Sequence, residues 1–128
     1  MSTVQFLGMP QSPLVWAVRM AAHEKGIPAE MVMLRAHVPE ILAIQPFGKM
    51  PAMRHGAVEL GESRAIGSYL DSLSSVHPLM PLESVAAAKA EQWVMHFYTE
   101  FVGVILGRYI GPYFFPTGPD GTPDRTVI

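Results

Sequence analysis

The first third of the chain carries the strongest constraint: two short apolar runs flank a helix that is punctuated at both ends. Thr3–Leu7 (TVQFL) is β-branched and aromatic and reads as a strand, and Gly8-Met9-Pro10 ends it. Ser12-Pro13 opens a helix, because Ser is a preferred N-cap and Pro suits the first helical position. Leu14, Val18, Ala21 and Ala22 fall at helical spacing and form an apolar face, leaving Arg19, His23 and Glu24 toward solvent. Gly26 ends the helix with a left-handed cap, and Ile27-Pro28 prevents its continuation. Ala29–Leu34 (AEMVML) reads as a second strand. A strand–helix–strand unit of about thirty residues implies a parallel pair of strands joined by a right-handed crossover.

The following segments extend this unit. His37–Ile44 is a short helix broken by Pro46-Phe47-Gly48. Met50–Met53 reads as a strand, since the residue before Pro is pushed to extended geometry. His55-Gly56 turns the chain, and Ala57–Leu60 pairs back as a hairpin. Gly61-Glu62-Ser63 leads into a helix over Ser63–Leu73, with Ile66, Tyr69 and Leu70 on one face. Residues 1–75 thus read as an α/β domain of order β-α-β-α-β-β-α, and 76–81 as a linker. Leu82–Ile110 is a long helical pattern rich in Ala, Glu, Gln and Lys. It places Trp93, Phe97, Phe101, Val104 and Ile105 on one face and Met95, Val102 and Leu106 on another, so it needs partners on more than one side. The last eighteen residues hold seven Gly or Pro and read as loop, running to Arg125-Thr126-Val127-Ile128 without a closing element.

Composition narrows the function. With 128 residues, 49% of them apolar, the chain can bury a core and is not disordered. A formal charge of −2 without a basic stripe argues against nucleic acid as a partner. There is no Cys, which excludes a disulfide framework, a thiolate metal site and a protein thiol nucleophile, and fits a reducing compartment such as the cytoplasm. The start lacks a basic segment and a clean apolar run, so no signal peptide is expected. Phe101–Leu106, flanked by Glu100 and Arg108, is far too short to span a membrane. His23, His37, His55, His77 and His96 are scattered and form no metal-ligand pattern. Met20, Met31, Met33 and Met53 are expected to fill the core, and Trp93, Phe97 and Phe101 to form a core or domain contact.

Three groups of residues, in this order and at these separations, resemble the glutathione transferase family. They are Ser12-Pro13 with Val18-Arg19 and Glu24-Lys25-Gly26-Ile27-Pro28; Pro46-Phe47-Gly48-Lys49-Met50-Pro51; and Glu62-Ser63-Arg64-Ala65-Ile66 with Tyr69-Leu70. The resemblance covers residues 1 to 73 and implies a thioredoxin-like amino-terminal domain. Residues 82–128 then match the first long helix, and the loop after it, of the family's all-helical second domain, so the chain reads as carboxy-terminally truncated. No Cys is present and no Tyr precedes Tyr69, which places the resemblance with the Ser-type classes (phi, theta, tau and the beta-like bacterial enzymes).

The chemistry implied is attack of the glutathione sulfur on a small apolar electrophile. Lowering a thiol pKa by two units from about 8.5 needs roughly 2.7 kcal/mol of preferential thiolate stabilisation. A Ser hydroxyl cannot act as a base near pH 7, but it can donate a hydrogen bond to the thiolate. A helix N-terminus adds about 0.3–1 kcal/mol, and up to ~2 when partly buried. Read on its own, Ser12 is a plain N-cap; the resemblance makes it the catalytic residue. Met50-Pro51 matches the family's cis-proline, whose preceding residue pairs strand-like with the cysteinyl backbone of glutathione; base rates alone favour trans. Glu62 is implied to pair with the α-ammonium of glutathione and Ser63 to bind its γ-glutamyl carboxylate, although both also read as capping residues. Lys49 is implied to reach the glycyl carboxylate, with Gln45 and His37 as weaker choices for the same end; otherwise it is a solvated lysine. Arg64 reads as a surface or dimer-interface charge.

Glutathione is therefore the expected co-substrate, with no metal. The unpartnered faces of Leu82–Ile110 imply a homodimer or a longer parent chain. The alternative function is a non-catalytic module that keeps the fold for glutathione binding or dimerisation.

Overall fold

The computed structural model describes residues 2–123, and the terminal stretch Arg125–Ile128 lies outside them. The chain divides into two compact units between Leu79 and Met80.

In the first unit, β1 (Val4–Gly8), α1 (Pro13–Glu24), β2 (Ala29–Met33), α2 (Pro39–Leu42), β3 (Ala52–His55), β4 (Val58–Gly61) and α3 (Ser63–Ser72) follow in chain order. The sheet order is β2-β1-β3-β4. β1 and β2 are parallel, with Val4 opposite Ala29, as the crossover requires. β3 runs antiparallel to both β1 and β4, with Phe6 opposite Met53 and Leu7 opposite Ala52. This is the expected β-α-β-α-β-β-α order. Element boundaries move by one to three residues: β3 begins after Pro51, so the hairpin turn falls at Gly56-Ala57, and α2 is shorter than the periodicity suggests.

Alternation along β1 divides the core. Val4 and Phe6 point to one face and pack with Met53 and with Val18 and Ala22 of α1 and Ile66 and Leu70 of α3. Leu7 points to the other face, where it meets Ala52 and Ile41 beside α2. On α1, Val15, Val18 and Ala22 are buried, while Leu14 is only half-buried. Ser12 caps α1, Pro13 occupies its first position, and Gly26 follows at φ 64.

One pairing was not foreseen. The Lys25 ammonium, with a fully buried side chain, donates to Asp71 Oδ1 at 2.8 Å and to the His77 carbonyl at 3.3 Å. Asp71 Oδ1 also accepts from the Leu79 backbone N–H at 3.0 Å. These bonds tie the end of α1 to the end of α3 and to the segment that follows it.

In the second unit, α4 (Ser84–His96) is capped by Glu83, whose carboxylate accepts from the Val85 and Ala86 N–H groups at 2.9 and 2.8 Å. Helical backbone continues through a π-helical stretch at Phe97–Phe101, α5 (Val102–Val104), a second π-helical stretch at Ile105–Ile110 and α6 (Gly111–Phe114). The Thr99 hydroxyl donates to the Met95 carbonyl at 2.9 Å, competing with the backbone ladder where the first π stretch lies. The second stretch precedes Pro112, which has no N–H to continue an α ladder.

Three expectations are corrected. The helix extends past Ile110, and Pro119–Gly121 forms a 3-10 turn, so the last described residues are not all loop. Met53 is buried and Met31 partly so, but Met20 and Met33 are 59% and 72% exposed, Met20 off the buried Val15-Val18-Ala22 face of α1 and Met33 at the end of the sheet-edge strand β2. Trp93, Phe97 and Phe101 are exposed rather than core, and no residue from 80 to 123 is buried.

Candidate functional site

The loop between β1 and α1 brings Ser12 to the mouth of a twelve-residue helix. The Ser12 hydroxyl oxygen accepts from the Val15 N–H at 3.4 Å, so its capping role is real but long. That bond uses a lone pair and leaves the hydroxyl proton to be donated elsewhere. The Ser12 N–H donates to the Met9 carbonyl at 3.1 Å, closing the turn that presents the side chain.

Met50 reaches the same loop from the other side of the sequence. The Met9 N–H donates to Met50 Sδ at 3.3 Å, and the Met50–Pro51 bond is cis. Gly8 makes this approach possible: at φ 154, a Cβ placed on it would lie 2.9 Å from Val15 Cγ2 and 3.1 Å from Met50 Cβ. Pro51 is buried at the entrance of β3. Ser12 and Met50-Pro51, about forty residues apart in sequence, are thus joined through Gly8 and Met9.

The β4–α3 corner supplies Glu62 and Ser63. Glu62 is the N-cap of α3 at φ 66 and ψ 115, a backbone region that L-residues rarely occupy. Its carboxylate makes no cap hydrogen bond, which removes the capping explanation for this residue. Instead Glu62 Oε1 accepts from Gln45 Nε2 at 2.9 Å. Ser63 begins α3 and is 6% exposed.

The residues weighed for the glycyl end fall differently. Lys49 is exposed in the loop before Met50, with no ion pair to another described residue. Gln45 is buried and occupied by Glu62 and by the Phe47 N–H, so it does not serve that end. His37 donates its backbone N–H to the Gly48 carbonyl and packs its ring over Gly48. Arg64 bonds the Ser68 hydroxyl one turn along α3. Gln45 and Met50 Sδ are the supporting contacts that motif reading missed; a polar side chain at the end of α2 gave no signal of burial. A groove of about 690 Å³ between α1 and β2, lined by Trp16, Arg19, Met20 and Met31 among others, includes none of the candidate residues. Among the described residues no group of three or more His, Asp or Glu could hold a metal ion, and no helix is long and apolar enough to cross a membrane.

Strand order, helix placement and this loop cluster define a thioredoxin-like domain whose candidate residues gather at the β1–α1, α2–β3 and β4–α3 connections. Residues 6–78 match the model of the glutathione S-transferase N-terminal domain, and the chain belongs to that family. Glutathione S-transferase 3 of Zea mays is 34% identical over an alignment that takes in all of this chain and 60% of the maize protein. The crystal structure of poplar glutathione transferase F1 superposes with a TM-score of 0.81 at 27% identity, covering 99% of this chain and 61% of that one. The theta-class enzyme of Xanthomonas axonopodis pv. citri, solved with glutathione bound, shares the fold at a TM-score of 0.81 and 24% identity, covering 100% of this chain and 62% of its own. The chain therefore spans about three-fifths of the length of the relatives it matches.

Proposed function

We propose that this chain is the glutathione-binding part of a Ser-type glutathione transferase that activates the glutathione thiol as a thiolate for attack on small apolar electrophiles. The observation that carries the proposal is the contact of Met50 Sδ with the Met9 N–H. It fastens the Met50-Pro51 corner to the loop that presents Ser12 at the mouth of α1. In this reading the Met50 backbone pairs with the cysteinyl residue, so the sulfur points at the α1 N-terminus. The Ser12 hydroxyl donates to the thiolate while its oxygen keeps the Val15 N–H. A hydrogen bond to a charged group contributes about 1.5–3 kcal/mol, and the helix terminus about 0.3–1. Together they cover the roughly 2.7 kcal/mol that a two-unit pKa shift requires.

The Glu62 carboxylate takes the α-ammonium of the γ-glutamyl group, and the Ser63 hydroxyl and N–H take its carboxylate at the α3 N-terminus. Lys49, exposed beside Met50, takes the glycyl carboxylate. The reaction consumes reduced glutathione and the chain has no Cys, both of which suit a reducing compartment such as the cytoplasm and a role in detoxification. The exposed aromatic faces from Trp93 to Phe114 suit burial in a homodimer or against further chain. Sedimentation should show concentration-dependent association, and a monomer at all concentrations would rule out the dimer.

Calorimetry with reduced glutathione, followed by turnover of a generic aryl halide, tests the central reading. Ser12→Ala should keep binding and lose turnover. Binding by the parent chain with no turnover would instead support a non-catalytic glutathione-binding module, and absence of binding would defeat both glutathione-dependent readings and leave the dimerisation module.

A further inference from the structure

Resting on that reading, we propose that Gln45 is a positioning residue for glutathione: it withholds the Glu62 carboxylate from capping α3 and holds it out for the ligand's α-ammonium. The chain contains its own control. Glu83 and Glu62 are both glutamates at helix N-caps. Glu83 has an ordinary extended backbone at φ −74, and its carboxylate folds onto the first N–H groups of its own helix. Glu62 sits at φ 66 and makes no cap bond, and among the described residues its side chain accepts from the Gln45 amide. A carboxylate left to itself at a helix start satisfies the helix; this one is diverted.

The geometry of Gln45 makes the diversion specific. The residue is 3% exposed, so its amide has no access to water as an alternative partner. Oε1 accepts from the Phe47 N–H at 2.7 Å, which fixes the amide's orientation, because the NH2 end cannot accept from that donor. The NH2 end is thereby aimed at Glu62 Oε1, 2.9 Å away. The stem is clamped as well: a Cβ on Gly61 would collide with Gln45 Cγ, so the glycine beside Glu62 is where Gln45 passes. The amide donor is neutral, so Glu62 keeps its full negative charge for an ammonium; a Lys or Arg in this place would cancel it. Only Oε1 is engaged, and Glu62 is otherwise exposed, so Oε2 is open to a ligand.

The test is calorimetry of the 128-residue chain with two ligands, reduced glutathione and its analogue lacking the α-amino group. Gln45→Met preserves volume and removes the donor. It should weaken glutathione about tenfold, leave the deamino analogue unchanged, and add no further loss in a Glu62→Gln background. Gln45→Ala, which removes the donor and leaves room for water at the Phe47 N–H, should show the same ligand-selective loss and serves if the Met variant does not fold. Equal losses for both ligands would mean that Gln45 only supports the loop, and would overturn the positioning role while leaving the proposed function intact. Failure of the unmodified chain to bind glutathione would overturn both.

Discussion

Glu62 concentrates the conflict between stability and binding in one residue. Its φ of 66 is a conformation that glycine adopts freely and that costs other residues about 1–3 kcal/mol. Its carboxylate, which makes no cap bond, returns nothing to α3. Glu62→Gly relieves that strain but leaves the buried Gln45 amide without its acceptor, a cost of the same size at about 1–3 kcal/mol, so the urea midpoint should move little while glutathione weakens by about ten- to a hundredfold through loss of a charge-assisted bond. A variant that is both less stable and unchanged in binding would show that the strain serves packing instead. Motif resemblance named Glu62, Ser12 and Met50, but neither the backbone angle at Glu62 nor the sulfur contact of Met50 can be read from residue order. The approach of Met50 depends on the missing side chain of Gly8, and that of Gln45 to Glu62 on the missing side chain of Gly61.

At the level of elements, the ends of α1 and α3 are held by a charge that water does not reach. Lys25 is fully buried at its side chain whereas Asp71 keeps partial exposure, so the two deletions differ in consequence. Asp71→Ala strands a buried ammonium and should cost about 3–5 kcal/mol. Lys25→Met leaves a carboxylate that still accepts from Leu79 and can reach solvent, and should cost clearly less. Urea unfolding of the two variants gives the order; equal losses would contradict it. The start of α4 makes a prediction of another kind. Hydrogen bonds from the Val85 and Ala86 N–H groups hold the Glu83 carboxyl below its ordinary value of 4.5. A depressed carboxyl stabilises its helix fully above 4.5 and loses that contribution as pH falls through the lowered value. The helical circular dichroism of Glu83→Ala should thus fall short of the parent at neutral pH and converge with it in acid. A constant difference across the titration would exclude the carboxylate as the cause.

Across the molecule, what was legible from sequence is what local punctuation dictates. Ser12-Pro13, Gly26-Ile27-Pro28, Pro46-Phe47-Gly48, His55-Gly56 and Gly61 mark boundaries by backbone chemistry, and with the apolar patterning between them they give the β-α-β-α-β-β-α order. Partner-dependent features were not legible. Periodicity shows that Met20 and Met33 are apolar, not that they are exposed, and it treats 82–110 as one α-helix where the backbone widens twice to π geometry. Nothing local marks Lys25 for burial, because its partner is 46 positions away.

The most direct measurement is the ultraviolet thiolate absorbance of glutathione bound to the chain, titrated with pH beside Ser12→Ala. The parent should hold the bound thiol one to two units below the free value of about 8.5, and the variant should return about one unit of that shift. A bound thiol that ionises like the free one, or is unmoved by the substitution, would contradict the activation of sulfur by Ser12 at the mouth of α1.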